Sequence, residues 1–303
     1  MLIARLIADK GLQETGEFNT RLDKLRDDLV ARGMPLGSLS HLASDEAVIE
    51  MHFSTEGSEG DPSTVLAAID AHLGAIDALV SASPIAIPRL FVSDMDSTMI
   101  GQECIDELAD YAGLKDRIAD ITERAMQGEL DFRDALRERV SLLKGLDENA
   151  IDSCLADRIT PTPGARTLVQ TLKAHGARSV LVTGGFHHFA DRVADTLGFD
   201  RTVGNRLAVE EGKLTGKLEG AISDADTKKR VLLEEADLLE EGAHILASGD
   251  GANDIPMLRA ATYGFAYRAK PKARAAANGR VDSEDLTAVL RLLGIPTENW
   301  VMG

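Results

Sequence analysis

Residues 1–84 divide by hydrophobic period into six short elements. The dense apolar positions of MLIARLIA predict a strand, and the helical spacing of apolar positions in NTRLDKLRDDLVARG predicts an amphipathic helix ending at Gly33. GSLSHLA follows as a second strand, and EAVIEMHFS alternates as a third. In DPSTVLAAIDAHLGA, Asp61 stands where an N-cap belongs and Pro62 at the first helical position, so a second helix begins there. DALVSAS closes the set as a fourth strand, giving the order βαββαβ. SPIAIPR, with Pro84 and Pro88, then breaks the pattern and predicts a boundary between units 1–84 and 85–303.

Beyond that boundary the pattern changes. RLFVSD, RSVLVTGG and AHILASGDG are apolar runs ending in small or acidic residues, as expected of parallel strands whose carboxyl ends form a site. A doubly wound α/β sheet is the fold class this predicts. Residues 95–177, between the first and second of these strands, are far more than a crossover needs. Their amphipathic segments, ECIDELADYAG, KDRIADITERAMQG, DFRDALRERVSLLKG and NAIDSCLADR, predict a helical cap at about 100–160, lying over the strand ends and able to exclude water. NRLAVEEG and KLTGKLEG predict a β-hairpin projecting from the core.

Composition narrows the function classes. Lys and Arg number 33 against 50 Asp and Glu, a formal charge of −17 with no basic patch, which speaks against nucleic acid and anionic membrane as partners. Cys104 and Cys154 lie far apart without C-x-x-C spacing and are expected to be reduced. The opening residues carry acids and lack a leader's apolar core, and no run is long enough to span a bilayer, so a cytoplasmic protein is expected.

The stretch FVSDMDSTMIGQE poses the chemical question. Two acids at i and i+2 beyond a strand end can face the same side, where they repel unless something positive lies between them. Capping of a helix beginning near Met99 is the bland account. A site is the other. DMDST, LVTGG, a Lys in DTKKR, and GDGAND, in this order, resemble the four motifs of the haloacid dehalogenase superfamily of phosphatases. With RVSLLKG, ITPTPGA, NRL and GKLTG the resemblance narrows to the phosphoserine phosphatases and covers residues 90 to about 290. The βαββαβ order in front of such an enzyme is ferredoxin-like and resembles the ACT domain, which implies an amino-acid effector site, a dimerisation module or a spacer.

The resemblance implies Asp94 as nucleophile, forming an aspartyl-phosphate, and Asp96 as general acid toward the leaving serine oxygen and general base toward water. Thr183 offers a hydroxyl to the phosphoryl group where the nearest relatives carry Ser, and Gly184 and Gly185 admit its oxygens to backbone N–H groups. Lys228, preferred to Lys229 on spacing, offsets the negative charge. Mg²⁺ is the implied cofactor, held by the carboxylates of Asp94 and Asp250 and the main-chain carbonyl of Asp96. Asp254 orients the surroundings of the ion and Lys228, and Asn253 donates to substrate. For O-phosphoserine, Glu103 would take the ammonium and Arg139 the carboxylate, with Met126 and Phe132 as apolar contacts. His187 and His188 are read as structural. The function expected is hydrolysis of O-phosphoserine in serine biosynthesis. The alternatives are another small-molecule phosphatase, a phosphotransferase to an alcohol such as homoserine, and a non-enzymatic amino-acid sensor.

Overall fold

The computed structural model describes residues 1–54, 60–126 and 130–302. The chain opens with β1 (Leu2–Ile7), one helical turn α1 (Lys10–Gln13), α2 (Gly16–Ala31), β2 (Leu36–Leu42), β3 (Asp45–Phe53), α3 (Pro62–Leu73) and β4 (Ala78–Ser81). The turn α1 had no signal in the apolar pattern. Helix α2 starts earlier than its pattern suggested because the Thr15 side chain accepts from Phe18 N–H and caps it. Asp61 caps α3 as expected, accepting from Ser63 N–H, with Pro62 first in the helix. The four strands run β2-β3-β1-β4, all neighbours antiparallel, the ferredoxin-like order. Leu25 and Leu29 of α2 and Val65 and Ile69 of α3 pack with Leu2, Leu6 and Met51 into a cluster of their own.

Next come β5 (Leu90–Ser93), α4 (Cys104–Tyr111), α5 (Lys115–Met126), α6 (Phe132–Leu142), α7 (Asn149–Arg158) and α8 (Ala165–Ala174). The chain continues through β6 (Arg178–Phe186), α9 (His187–Leu197), β7 (Arg201–Glu210), β8 (Lys213–Glu219), α10 (Ala225–Ala236) and β9 (Ile245–Gly249). It ends with α11 (Ile255–Ala260), β10 (Tyr263–Tyr267), α12 (Pro271–Ala276), β11 (Gly279–Val281) and α13 (Thr287–Leu293). Strands β5, β6, β7, β9, β10 and β11 are parallel. Alternation along them sorts the core into two layers. Phe91 and Leu181 face Leu168, Leu172 and Phe189 of α8 and α9, while Leu90, Val92 and Val182 face Val231 and Leu232 of α10 and Met257 of α11.

Two features differ from the sequence-based picture. The prolines at 84 and 88 do not separate two sheets: β4 pairs antiparallel with β11, Leu79 against Gly279 and Ala78 against Arg280, so one eleven-stranded sheet runs from β2 to β8. The hairpin β7–β8 does not project freely either. Gly145 N–H donates to Leu214 O at 2.8 Å and Leu214 N–H to Leu146 O at 2.8 Å, which ties the hairpin to the chain after α6. Gly216, with φ near +77°, lets them meet, because a Cβ there would lie 2.9 Å from Lys144 Cβ.

Candidate active site

The carboxyl ends of β5, β6 and β9 bring the acids, the hydroxyl and the lysine together. Asp94 follows β5, is 5% exposed, and accepts from Lys228 Nζ at 2.7 Å. Lys228 is wholly buried and donates at the same distance to Asp254. Its position on α10 explains the choice between the two lysines: residues 228, 231, 232 and 235 are the buried face, and Lys229 is exposed. Carboxylate oxygens of Asp94, Asp250 and Asp254 lie within 4.8 Å of one another. Asp254, expected to orient Lys228 and the surroundings of the ion, accepts from Lys228 through one oxygen and from Gly251 N–H at 3.0 Å through the other.

Asp96 turns the other way. One oxygen accepts from Cys104 N–H at 2.9 Å and the other from Thr183 Oγ1 at 3.3 Å. No helix begins near Met99. The helix that does follow is α4, and Asp96 satisfies the N–H of its first residue from across the loop. Thr183 Oγ1 also accepts from Gly185 N–H at 2.8 Å. A Cβ on Gly185 would sit 2.7 Å from Asp96 Oδ2, so glycine keeps this corner open.

Burial and mutual repulsion shape the charges. Asp94 is pushed well above the ordinary carboxylate range by burial and by Asp254, with Lys228 opposing. Burial and Glu103 bring Asp96 to about 6, and burial and Asp254 bring Asp250 to about 6. Burial alone would lower Lys228, but Asp254 and Asp94 hold it above its usual value, so it stays a cation. Four acids share one buried ammonium. An all-oxygen cluster with an excess of negative charge fits a hard divalent cation.

Above these groups opens a cavity of about 350 Å³. Its floor includes Asp94, Asp96, Asp250 and Thr183, and Asn253, Gly184 and Gly185 edge it. Phe132, first residue of α6, reaches down until its ring would lie 3.4 Å from a Cβ on Gly184. Glu103 and Arg139 stand in the wall. Glu103 is at the N-cap position of α4 without capping it, and its carboxylate instead accepts from Ser97 Oγ at 2.7 Å. Arg139 Nε is buried without a hydrogen-bond partner, and burial lowers the guanidinium's hold on its proton against the attraction of Asp106 and Glu103. The side chain of Met126 lies outside the described residues. His187 bonds Asp191 on its own helix, and both cysteines are free and buried. The residue overlooked in the sequence is Lys270, which follows β10, lines the cavity and has Nζ 3.9 Å from Asp250. Its place beyond the end of a parallel strand was the available signal. Among the described residues no helix is long and apolar enough to cross a membrane.

Residues 91–259 match the profile of the haloacid dehalogenase-like hydrolases, and residues 229–293 match a second profile of the same description. The phosphoserine phosphatase of Archaeoglobus fulgidus is 44% identical over 213 residues, covering 69% of this chain and 61% of that protein. The chain therefore spans about three fifths of that relative. The phosphoserine phosphatase of Lactococcus lactis is 44% identical over 209 residues, 69% of this chain and 96% of that protein. A solved phosphoserine phosphatase described as a phospho-aspartyl intermediate analogue superimposes with a TM-score of 0.62 at 38% identity, over 67% of this chain and 98% of that one. The chain belongs to the haloacid dehalogenase-like hydrolases, in the branch of the phosphoserine phosphatases.

Proposed function

We propose that this chain hydrolyses O-phosphoserine to serine and inorganic phosphate through a phosphorylated Asp94. The observation that carries the reading is the joining of a buried, Lys228-held carboxylate to a cavity whose wall offers one acid, Glu103, and one base, Arg139. Asp94 attacks phosphorus and the ester bond to serine breaks. Asp96, whose raised proton affinity keeps a proton at hand, protonates the departing oxygen and then takes a proton from the water that cleaves the acyl-phosphate. Lys228 and Thr183 meet the phosphoryl oxygens, joined by backbone N–H groups at Gly184 and Gly185 and by the Asn253 amide. Asp94, Asp250 and Asp254, with the main-chain carbonyl of Asp96, would hold Mg²⁺, which when bound supplies the charge that lets a carboxylate approach a phosphate dianion.

Arg139, with a donor left open, is read as the partner of the substrate carboxylate, and Glu103 as that of the ammonium. Phe132, which lines the cavity, is read as the apolar contact of the serine part. Residues 100–160 are read as a cap on a catalytic unit 85–303, in a cytoplasmic enzyme of serine biosynthesis. Residues 1–84 are read as an ACT-like unit for an amino-acid effector or for dimerisation, supported by the βαββαβ order and the sheet order around β1. Phosphate release from a panel of phosphate esters with magnesium present tests the assignment, and product analysis with homoserine added separates hydrolysis from transfer. Preference for an ester without carboxylate and ammonium, or transfer exceeding hydrolysis, would reject it.

A further inference from the structure

The ladder between β6 and β7 breaks at the site. Val182 pairs with Val203, and the next registered pair is Phe186 with Asn205, so three residues of β6, Thr183, Gly184 and Gly185, stand against the single Gly204. A bulge of this kind takes backbone groups out of the ladder, and buried ones need other partners. The Gly184 carbonyl finds one in a side chain: Asn205 Nδ2 donates to it at 2.7 Å. The same amide accepts from Ser223 N–H at 2.8 Å through Oδ1, and its Nδ2 lies 3.5 Å from Ser223 O. Ser223 directly precedes Asp224, the cap of the helix that carries Lys228. Asn205 is 1% exposed. Its approach depends on Gly204, where a Cβ would come within 3.1 Å of Thr183 Cγ2 and 3.3 Å of Gly185 O.

We propose that Asn205 is a positioning residue for phosphoryl transfer, its amide joining the Gly184–Gly185 peptide to the start of α10 so that the glycine cradle and Lys228 meet one phosphoryl group at a set separation. A carboxamide suits the place because it donates to one loop and accepts from the other at once, which neither Asp nor Leu can do. The inference rests on the phosphatase reading above and adds a residue that does not touch the substrate.

Two variants test it. Asn205→Asp keeps the shape and the acceptor for Ser223 N–H but puts an oxygen where the donor to Gly184 stood, and Asn205→Ser removes both bonds. Rates are taken per folded molecule, the folded fraction being read from the cooperative thermal melt. In both variants kcat/KM for phosphoserine should fall by about 10²-fold, the scale of a small misplacement of reacting groups. The same factor should appear with phenyl phosphate, and inhibition by orthovanadate should weaken in parallel. Wild-type rates and vanadate inhibition would overturn the proposal. So would a loss confined to phosphoserine, which would place Asn205 in leaving-group recognition, or failure of both variants to melt cooperatively, which would place it in the fold alone. A wild-type protein that binds vanadate yet ignores phosphoserine would sink the substrate reading, while vanadate binding still decides the part played by Asn205.

Discussion

Two buried polar clusters in this molecule look alike and differ in their charge balance. At the seam where β4 meets β11, Arg280 is 2% exposed, donates to Asp70 at 2.6 Å and reaches the carbonyls of Leu66 and Ile76 at 3.3 Å. Around it Arg274 pairs with Asp70 and Asp282, Arg291 with Asp45, and Arg5 with Glu50. Asp77 accepts from the N–H groups of Asp282 and Ser283 at 2.7 and 3.0 Å. Each acid of the seam has a cation or an N–H of its own. At the strand ends Asp94, Asp96 and Asp254 also accept from an N–H each, but Asp94 and Asp254 share the one buried ammonium, Lys228, and the exposed Lys270, 3.9 Å from Asp250, is the other cation for four acids. A balanced cluster holds the two parts of one sheet together at β4 and β11; an unbalanced one stores a demand for positive charge that a ligand outside the chain can meet.

The contrast predicts opposite outcomes for two substitutions. Asp94→Asn removes the nucleophile and should lower phosphate release by at least about 10⁴-fold, the scale seen when a group acting directly in the chemistry is lost. Lys228 keeps Asp254, and one excess charge is gone, so the melting temperature should stay level or rise. Arg280→Ala should do the reverse. It leaves a cavity and unpaired carbonyls, costing about 2–4 kcal/mol in a denaturant titration, while kcat stays within about twofold. If Asp94→Asn also lowers stability, or Arg280→Ala also stops turnover, the division between the clusters fails.

The two regions were not equally legible in the sequence. Asp94 and Asp250 could be read because apolar strands end on them, and the choice of Lys228 over Lys229 agrees with the buried phase of α10 through Val231, Leu232 and Glu235. The elements of the first stretch could be read for the same reason, as alternation and an Asp-Pro cap are local signals. The joining of β4 to β11 could not, since a strand of three residues pairing with one some two hundred positions away leaves no local mark. Asn205 sat in a noticed motif, but its use depends on a bulge in the neighbouring strand, which no period reveals. Asp254 was read beside Lys228 from its motif, and the two pair at 2.7 Å.

Between the clusters in charge stands Arg139, half-buried in the cavity wall with Nε unpaired. Unlike Arg280, which is 2% exposed at the seam, it lines the cavity, and an open donor on a cavity wall is the property a substrate carboxylate would use. Arg139→Ala should reduce kcat/KM for phosphoserine by about 10²-fold and leave phenyl phosphate nearly untouched, since removing one buried charge-assisted contact costs about 2–3 kcal/mol. Equal losses on both esters would move Arg139 to the structural side of the comparison.

The smallest expected effect is also the most direct reading of the unmet demand. In protein stripped of divalent ions, Asp96 and Asp250 hold protons up to about 6 because burial, with Glu103 and Asp254 respectively, disfavours their charged forms. Their folded values lie above the unfolded carboxylate value, so their contribution favours the fold fully below about pH 4 and is lost as pH rises through about 6. A divalent cation replaces those protons. Added Mg²⁺ at about a hundred times its dissociation constant should therefore raise the melting temperature by about 5 °C at neutral pH. Below about pH 5 the gain should shrink toward zero, because the oxygens that would bind the ion are already protonated. The Arg280→Ala protein should show the same gain from a lower starting point, as its seam takes no part in ion binding. A shift independent of pH would mean that the ion binds away from these aspartates, and the excess of acids beside Lys228 would need another explanation.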